Sequence, residues 1–286
     1  AQERGFQQEI LHNCLDNRVE GIILPQLQAG VLNLPAYVDY GYSVERLIEN
    51  ESVQETREHL RRAHAHFAKA KAIHDDWEHI YISHMSFSKL NQFTQQKILE
   101  LLGEHTRNRK GSAVHRFFGA ATQDGPVDYI DNLTAGLSRR YFIKGRPGTG
   151  KSTFLKKLAE RAVGNGLRAE IYHCSFDPSS LDLVIFRELD FCVFDSTAPH
   201  EYQPSREQDE IFDFYQVAVQ EHTDEDFSEE IDRLLQAYRE EMEQAREEIA
   251  LANQIKTKED TSLFLQISPN KYRNVLQKIT KNVFSS

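Results

Sequence analysis

A chain of 286 residues, 40% hydrophobic and 27% charged, has the makeup of a water-soluble globular protein with room for one large or two modest cores. Its net charge of −10 argues against broad affinity for nucleic acid or anionic membranes, and no apolar run reaches the length of a membrane span. Three cysteines, Cys14, Cys174 and Cys192, form neither a disulfide framework nor a metal-ligand spacing; each lies in or beside a predicted strand, so buried free thiols in a reducing cytoplasm are expected.

The segment Gly5–His12 has a second version later in the chain. Gly166–His173 lies over it at an offset of 161, with Asp177 over Asp16. After one added residue, Val184-Ile185, Leu189 and Val193-Phe194 lie over Ile22-Ile23, Leu27 and Val31-Leu32. Each copy continues into a long charged helix, a short apolar strand (Ile80-Tyr81-Ile82, and Leu263-Phe264-Leu265) and an amphipathic helix at 87–103 or 270–283. The first copy starts after the place where its own strand, phosphate loop and helix belong, and Ala1 in place of Met agrees with a fragment or processed chain. An incomplete repeat over 1–107, with two or three strands of a sheet, and a complete one over 108–286 are therefore predicted. Asn33 stands where the second copy has an acid, followed by Leu34-Pro35-Ala36-Tyr37, so the first copy is expected to bind no nucleotide by itself. The two repeats are expected to pack on each other, because a partial sheet with bare apolar faces does not persist alone.

Two helical arms follow the same logic. Val53, Thr56, Leu60, Ala63, Phe67, Ala70, His74 and Trp77 alternate at spacings of three and four, as do Ile231, Leu235, Tyr238, Met242, Ala245, Ile249 and Ala252 in an arm at about 226–256. Both are narrow apolar seams on charged helices, suited to pairing with each other. His64 and His66, two residues apart, do not share a helix face, which favours a solvated helix over a zinc site.

Residues 145–152 carry the strongest signal. Gly145-Arg146-Pro147-Gly148-Thr149-Gly150-Lys151-Ser152 is a complete G-x-x-x-x-G-K-[ST] loop. Tyr141–Lys144 before it reads as a buried strand, and Thr153–Val163 after it as a helix stopped by Gly164-Asn165-Gly166. Strand, glycine loop and helix in that order let backbone N–H groups turn inward around a phosphate. Lys151 is expected at the terminal phosphates of ATP, Ser152 on Mg2+, and Thr153 within the first helical turn beside them. Arg146 and Arg206 are further candidate phosphate contacts.

The order after the loop is helix 152–163, strand 169–174, helix or turn 178–188 and strand 191–195, which predicts a doubly wound parallel sheet with its ligands at the carboxyl ends of the strands. Phe191-Cys192-Val193-Phe194-Asp195 has the form of a Walker B strand, whose terminal acid, Asp195, would hold magnesium opposite Ser152. Ser196 follows instead of a water-polarising Glu, so either hydrolysis is slow or another group does that work. Asp177 has two readings, helix cap with Pro178 in the first turn, or, with His173, a general base or acceptor-binding pair. His200 lies on the same rim and is either a γ-phosphate contact or solvated.

The stretches Tyr141–Thr153, Tyr172–Pro178 and Phe194–His200 together resemble an uncharacterised bacterial family of tandem-repeat P-loop proteins, described as ATPases or relatives of nucleotide kinases. The resemblance implies ATP binding, Lys151 and Ser152 as phosphate and magnesium residues, a cytosolic location and a phosphate loop in the first repeat, which this sequence lacks. The expectation is a magnesium-dependent P-loop NTPase with slow hydrolysis. A phosphotransferase using a small-molecule acceptor near Asp177 is the second reading, and a nucleotide-switched regulatory or scaffold protein the third. The acidic segment after Asp195 favours hydrolase or switch over a kinase with an Arg-rich lid.

Overall fold

The computed structural model describes residues 5–27, 29–32, 54–266, 273, 274 and 277, the side chains of 259–266 excepted. Val53, the stretch 33–37 and nearly all of the expected helix 270–283 lie outside the described residues. The chain divides into two compact units, one of Ala1–His66, Thr122–Gly125 and Gln244–Ser286, the other of Phe67–Ala121 and Pro126–Glu243. Both are discontinuous in sequence, so they do not coincide with the halves 1–107 and 108–286.

In the first unit, β1 (Glu9–His12), β2 (Val19–Leu24) and β3 (Ala29–Leu32) form an antiparallel meander, with a 3-10 turn at Pro25–Leu27. The long helix α1 (Gln54–Ser83) and the helix α2 (Phe87–Leu102) follow. Next come β4 (Ser112–Phe117), a ribbon of β5 (Gly119–Thr122) and β6 (Gly125–Asp128), and the short helix α3 (Ile130–Thr134). The strand β7 (Arg139–Lys144) leads through the glycine loop into α4 (Lys151–Gly164). β8 (Arg168–His173), β9 (Leu181–Phe186), β10 (Phe191–Asp195) and β11 (Glu210–Asp213) complete the strands, and α5 (Phe214–Ala218), α6 (Thr223–Asp226) and α7 (Ser228–Gln266) the helices.

The second unit is built on a six-stranded sheet in the order β11-β7-β10-β9-β8-β4. It is mixed, not all-parallel as expected: β9 runs antiparallel to both β8 and β10, while the pairs β4–β8, β7–β10 and β7–β11 are parallel. The expected helix or turn at 178–188 is the origin of the difference. Leu181-Asp182-Leu183-Val184-Ile185-Phe186 is a nearly unbroken apolar run with both faces buried, and such a run is a central strand rather than a one-faced helix.

Period-two alternation sorts the side chains onto two cores. Tyr141, Ile143, Val184, Phe186, Phe191 and Val193 join Phe154, Leu155 and Leu158 of α4 on one face. Phe142, Leu183, Ile185, Cys192 and Phe194 join Phe118 and Ile130 on the other.

The meander of the first unit repeats β8-β9-β10 in detail. Glu9 pairs with Ile23 as Glu170 pairs with Ile185, and both ladders slip at the same place, Leu11/His12 and Tyr172/His173. Gly21 faces Leu32 as Leu183 faces Phe194. A 3-10 turn stands between the second and third strands in each, at Pro25–Leu27 and Arg187–Leu189. Gly5 and Gly166, at matching positions, both have positive φ, +74° and +80°.

The helical seams face inward as their spacing predicts. In the first unit Thr56, Ala63, Ala245, Ile249 and Ala252 are buried, and Glu248 of α7 binds His59 at 2.6 Å and Arg62 at 3.0 Å. In the second unit Ala70 is buried and the His74 ring packs on Tyr238. Two expected strands are helical instead: Ile80–Ile82 closes α1, and 263–265 lies in α7. A run of three β-favouring residues does not outweigh a helix already propagating, particularly with Ile80 and Tyr81 buried on its face. All three cysteines are free; Cys192 is buried as expected, Cys174 partly so, and Cys14 is exposed. No helix among the described residues is long and apolar enough to cross a membrane.

Candidate functional site

Parallel pairing of β7 with β10 sets Asp195 opposite Ile143, two residues before the glycine loop begins. The adjacency brings Lys151 of α4 and Asp195 of β10 together: Nζ lies 3.7 Å from Oδ2 of Asp195 and donates to the Arg146 carbonyl at 2.8 Å. The Lys151 side chain is only 10% exposed. The second oxygen of Asp195 is fixed separately, accepting from the Thr197 hydroxyl at 2.6 Å and the Thr197 N–H at 3.1 Å.

Gly148 and Gly150 adopt φ of +74° and +89°, the left-handed region that glycine enters without penalty. Space constrains them too. A Cβ on Gly148 would stand 2.7 Å from the Glu78 carbonyl of α1, and one on Gly150 2.8 Å from Leu90 of α2. Thr149 is fully buried and donates its hydroxyl to the Arg146 carbonyl at 2.7 Å, tying the turn together. Gly150 caps α4 with no side-chain acceptor, so the first backbone N–H groups of that helix face the loop uncapped by a side chain. Ser152 is already oriented, its Oγ accepting from the Leu181 N–H at 2.9 Å. Thr153 is exposed on the first turn, and Pro147 and Gly145 are partly buried along the loop.

Three expected phosphate contacts have other partners. Arg146 is held by Asp224 of α6, at 2.6 and 3.0 Å, above the Tyr215 ring, and Tyr81 donates to the same carboxylate at 2.9 Å. Arg206 donates to the Leu137 carbonyl at 2.8 Å and so closes the end of α3, away from phosphate duty. The His200 ring meets Asp128 at 2.5 Å and packs edge-on against Phe118, so it is neither solvated nor aimed at the loop. Burial alone would raise the Asp128 carboxyl, but hydrogen bonds from His200 and Tyr202 hold it below the usual range.

Asp177 caps no helix, because β9 follows where a helix was expected. Its carboxylate accepts from Ser179 N–H at 3.1 Å and Ser179 Oγ at 2.6 Å, an Asx turn. Asp16 makes the same turn with Arg18 N–H at 3.1 Å. His173 also has its counterpart: its Nδ1 contacts the Pro178 carbonyl at 2.7 Å, as His12 contacts Asn17 at 2.8 Å. Features shared by both meanders build the turn.

Asp182 is the residue that the sequence reading passed over. The register that sets Leu183 against Phe194, carried one residue further, sets Asp182 across from Asp195, and the two acids are near enough for the Asp195 charge to act on Asp182. Burial, and then the Asp195 charge, push its carboxyl up to about 6, with the Cys174 thiol as a hydrogen-bond partner. Recognising β9 as antiparallel would have found it, since only that pairing puts the two acids side by side. On α1, His74, Asp75 and Glu78 place ligand-type atoms within 4.8 Å of one another, but Asp75 is bound by Lys71 at 2.8 Å, and burial lowers the pKa of His74.

The donor set fits a phosphate–magnesium group: an ammonium, uncapped N–H groups at a helix start, one oriented hydroxyl and two oxygen-bearing acids, the hard ligands that magnesium prefers. Comparison with known protein families, with curated proteins and with solved structures finds no match.

Proposed function

We propose that the second unit is a P-loop NTPase fold that binds ATP as its magnesium chelate at residues 145–152 and hydrolyses it slowly. The observation that carries this reading is the meeting of Lys151 with Asp195, at 3.7 Å, at the carboxyl ends of two adjacent parallel strands, beside two left-handed glycines. Loop amides and the N-terminus of α4 would receive the β-phosphate, and Lys151 would exchange the Arg146 carbonyl for phosphate oxygens. Ser152 and Asp195 would hold magnesium, which supplies charge neutralisation on the phosphate oxygens. Ser196, at the position after Asp195, is fully buried and bound to Tyr202 and Lys144, so it orients no water. Turnover without a better base is therefore slow, below about 1 s⁻¹. The small-molecule-acceptor reading loses its main residue, because Asp177 is engaged in the turn that Asp16 repeats.

The test is phosphate release across a magnesium titration. Parent protein should release free phosphate slowly and magnesium-dependently, at a rate indifferent to added nucleosides, nucleotides or sugars. Lys151→Ala and Asp195→Asn should each abolish it. Label transferred to an acceptor, or parent turnover in the Lys151 variant, would reject the reading.

A further inference from the structure

Continuing the β9–β10 register past Leu183 and Phe194 sets the carboxylates of Asp182 and Asp195 side by side, and like charges opposed across a strand pair are unfavourable unless something positive lies between them. Lys151 faces Asp195, yet one ammonium leaves two acids with a surplus negative charge. The first meander shows how the same strand position is handled elsewhere. Glu20, which corresponds to Asp182, accepts a hydrogen bond from the Asn13 amide at 2.9 Å and lies near the Lys256 ammonium. In the second meander the amide is replaced by the weak thiol donor of Cys174, and the Asp195 charge acts on the acid.

The hydroxyl of Ser152 is anchored to the backbone N–H of Leu181, the residue directly before Asp182. Ser152, Asp182 and Asp195 thus converge from α4, β9 and β10 on one face of the sheet. Thr197 fixes one oxygen of Asp195 and leaves the other toward Lys151.

We propose that Asp182 is a second carboxylate of the divalent-cation site, so that the nucleotide's cation is held by Ser152, Asp195 and Asp182 together. This rests on the reading of residues 145–152 as a nucleotide site. It assigns to β9 a function beyond filling the sheet: the antiparallel strand brings an acid to a position that the phosphate loop and the strand ending at Asp195 do not supply themselves. Cys174 positions that acid.

The experiment uses the whole chain, a non-hydrolysable ATP analogue and Mn2+ followed by its electron paramagnetic resonance signal, so no turnover is needed. Asp182→Asn should weaken Mn2+ in the ternary complex by about 10- to 100-fold, as should Asp195→Asn, while Asp177→Asn stays within about 2-fold of parent. Analogue affinity in EDTA should be unchanged or tighter in Asp182→Asn, because a negative charge near the phosphates has gone. Asp182→Glu, which keeps the charge, should recover most of the Mn2+ affinity and guards against a folding artefact. Parent-like Mn2+ affinity in Asp182→Asn with the analogue bound, or no recovery in a folded Asp182→Glu, overturns the assignment and leaves the nucleotide site standing. Failure of the parent to bind the analogue, with or without Mn2+, overturns both.

Discussion

At the scale of single residues, the internal copy separates side chains that build the chain's turns from those available for chemistry. Asp177 and His173 have counterparts in Asp16 and His12 with matching hydrogen bonds, and one such counterpart argues more for architecture than for catalysis. Asp177→Ala should cost about 1 kcal/mol of stability through loss of the Asx turn, measured by denaturant unfolding, and leave ATP affinity within about 3-fold of parent. A large loss of affinity at unchanged stability would return Asp177 to the site. Lys151 and Ser152 stand out in the sequence because a loop motif fixes their spacing, and Asp195 because it ends a short apolar strand. Asp182 does not, because the role proposed for it depends on a cross-strand neighbour, and strand pairing is absent from a linear pattern. Arg146 and Arg206 failed for a related reason: the acid and carbonyls that engage them come from 78 and about 70 positions away.

Among the elements, the glycine loop is shaped from both sides. Gly148 lies beneath the backbone of α1 and Gly150 beneath Leu90 of α2, so the residues that need left-handed φ also have no room for a Cβ. Gly148→Ala should therefore cost about 1–3 kcal/mol and weaken nucleotide binding together, read by thermal unfolding and titration calorimetry. At the far end of β7, Arg140 and Asp209 form a covered ion pair at 2.6 Å that fastens the segment before β11. Burial would raise the Asp209 carboxyl, but hydrogen bonds from Arg140 and the backbone of Ser205 and Arg206 bring it down to about 2. A depressed folded pKa adds stability above the unfolded value near 4, lost as pH falls toward 2, and is worth about 1–2 kcal/mol at neutral pH. Asp209→Asn should lower stability at pH 7 by that amount or somewhat more and flatten its decline between pH 4 and 2. An unaltered acid limb would contradict the pairing. The helices α1, α2, α4 and α7 and the strands β7, β8 and β10 were legible from periodicity; β9 and the ends of α1 and α7 were not, because burial and helix propagation override local preference there.

For the whole molecule, one architectural theme is used twice with different outcomes. Both meanders share register, slip and turn, yet among the described residues only the second adjoins a strand that runs into a glycine loop. The sequence alignment of the copies anticipated the shared elements, while the register and the mixed sheet emerged only from pairing. Binding stoichiometry should accordingly be one nucleotide per chain. The most direct test of the central claim is calorimetric titration of a non-hydrolysable ATP analogue with magnesium into the parent and into Lys151→Ala, with thermal unfolding recorded for each. A single site in the parent, weakened about 100-fold or more in a Lys151 variant that still unfolds cooperatively, is the predicted result. Equal affinity in the two proteins, or no binding to the parent, would contradict it.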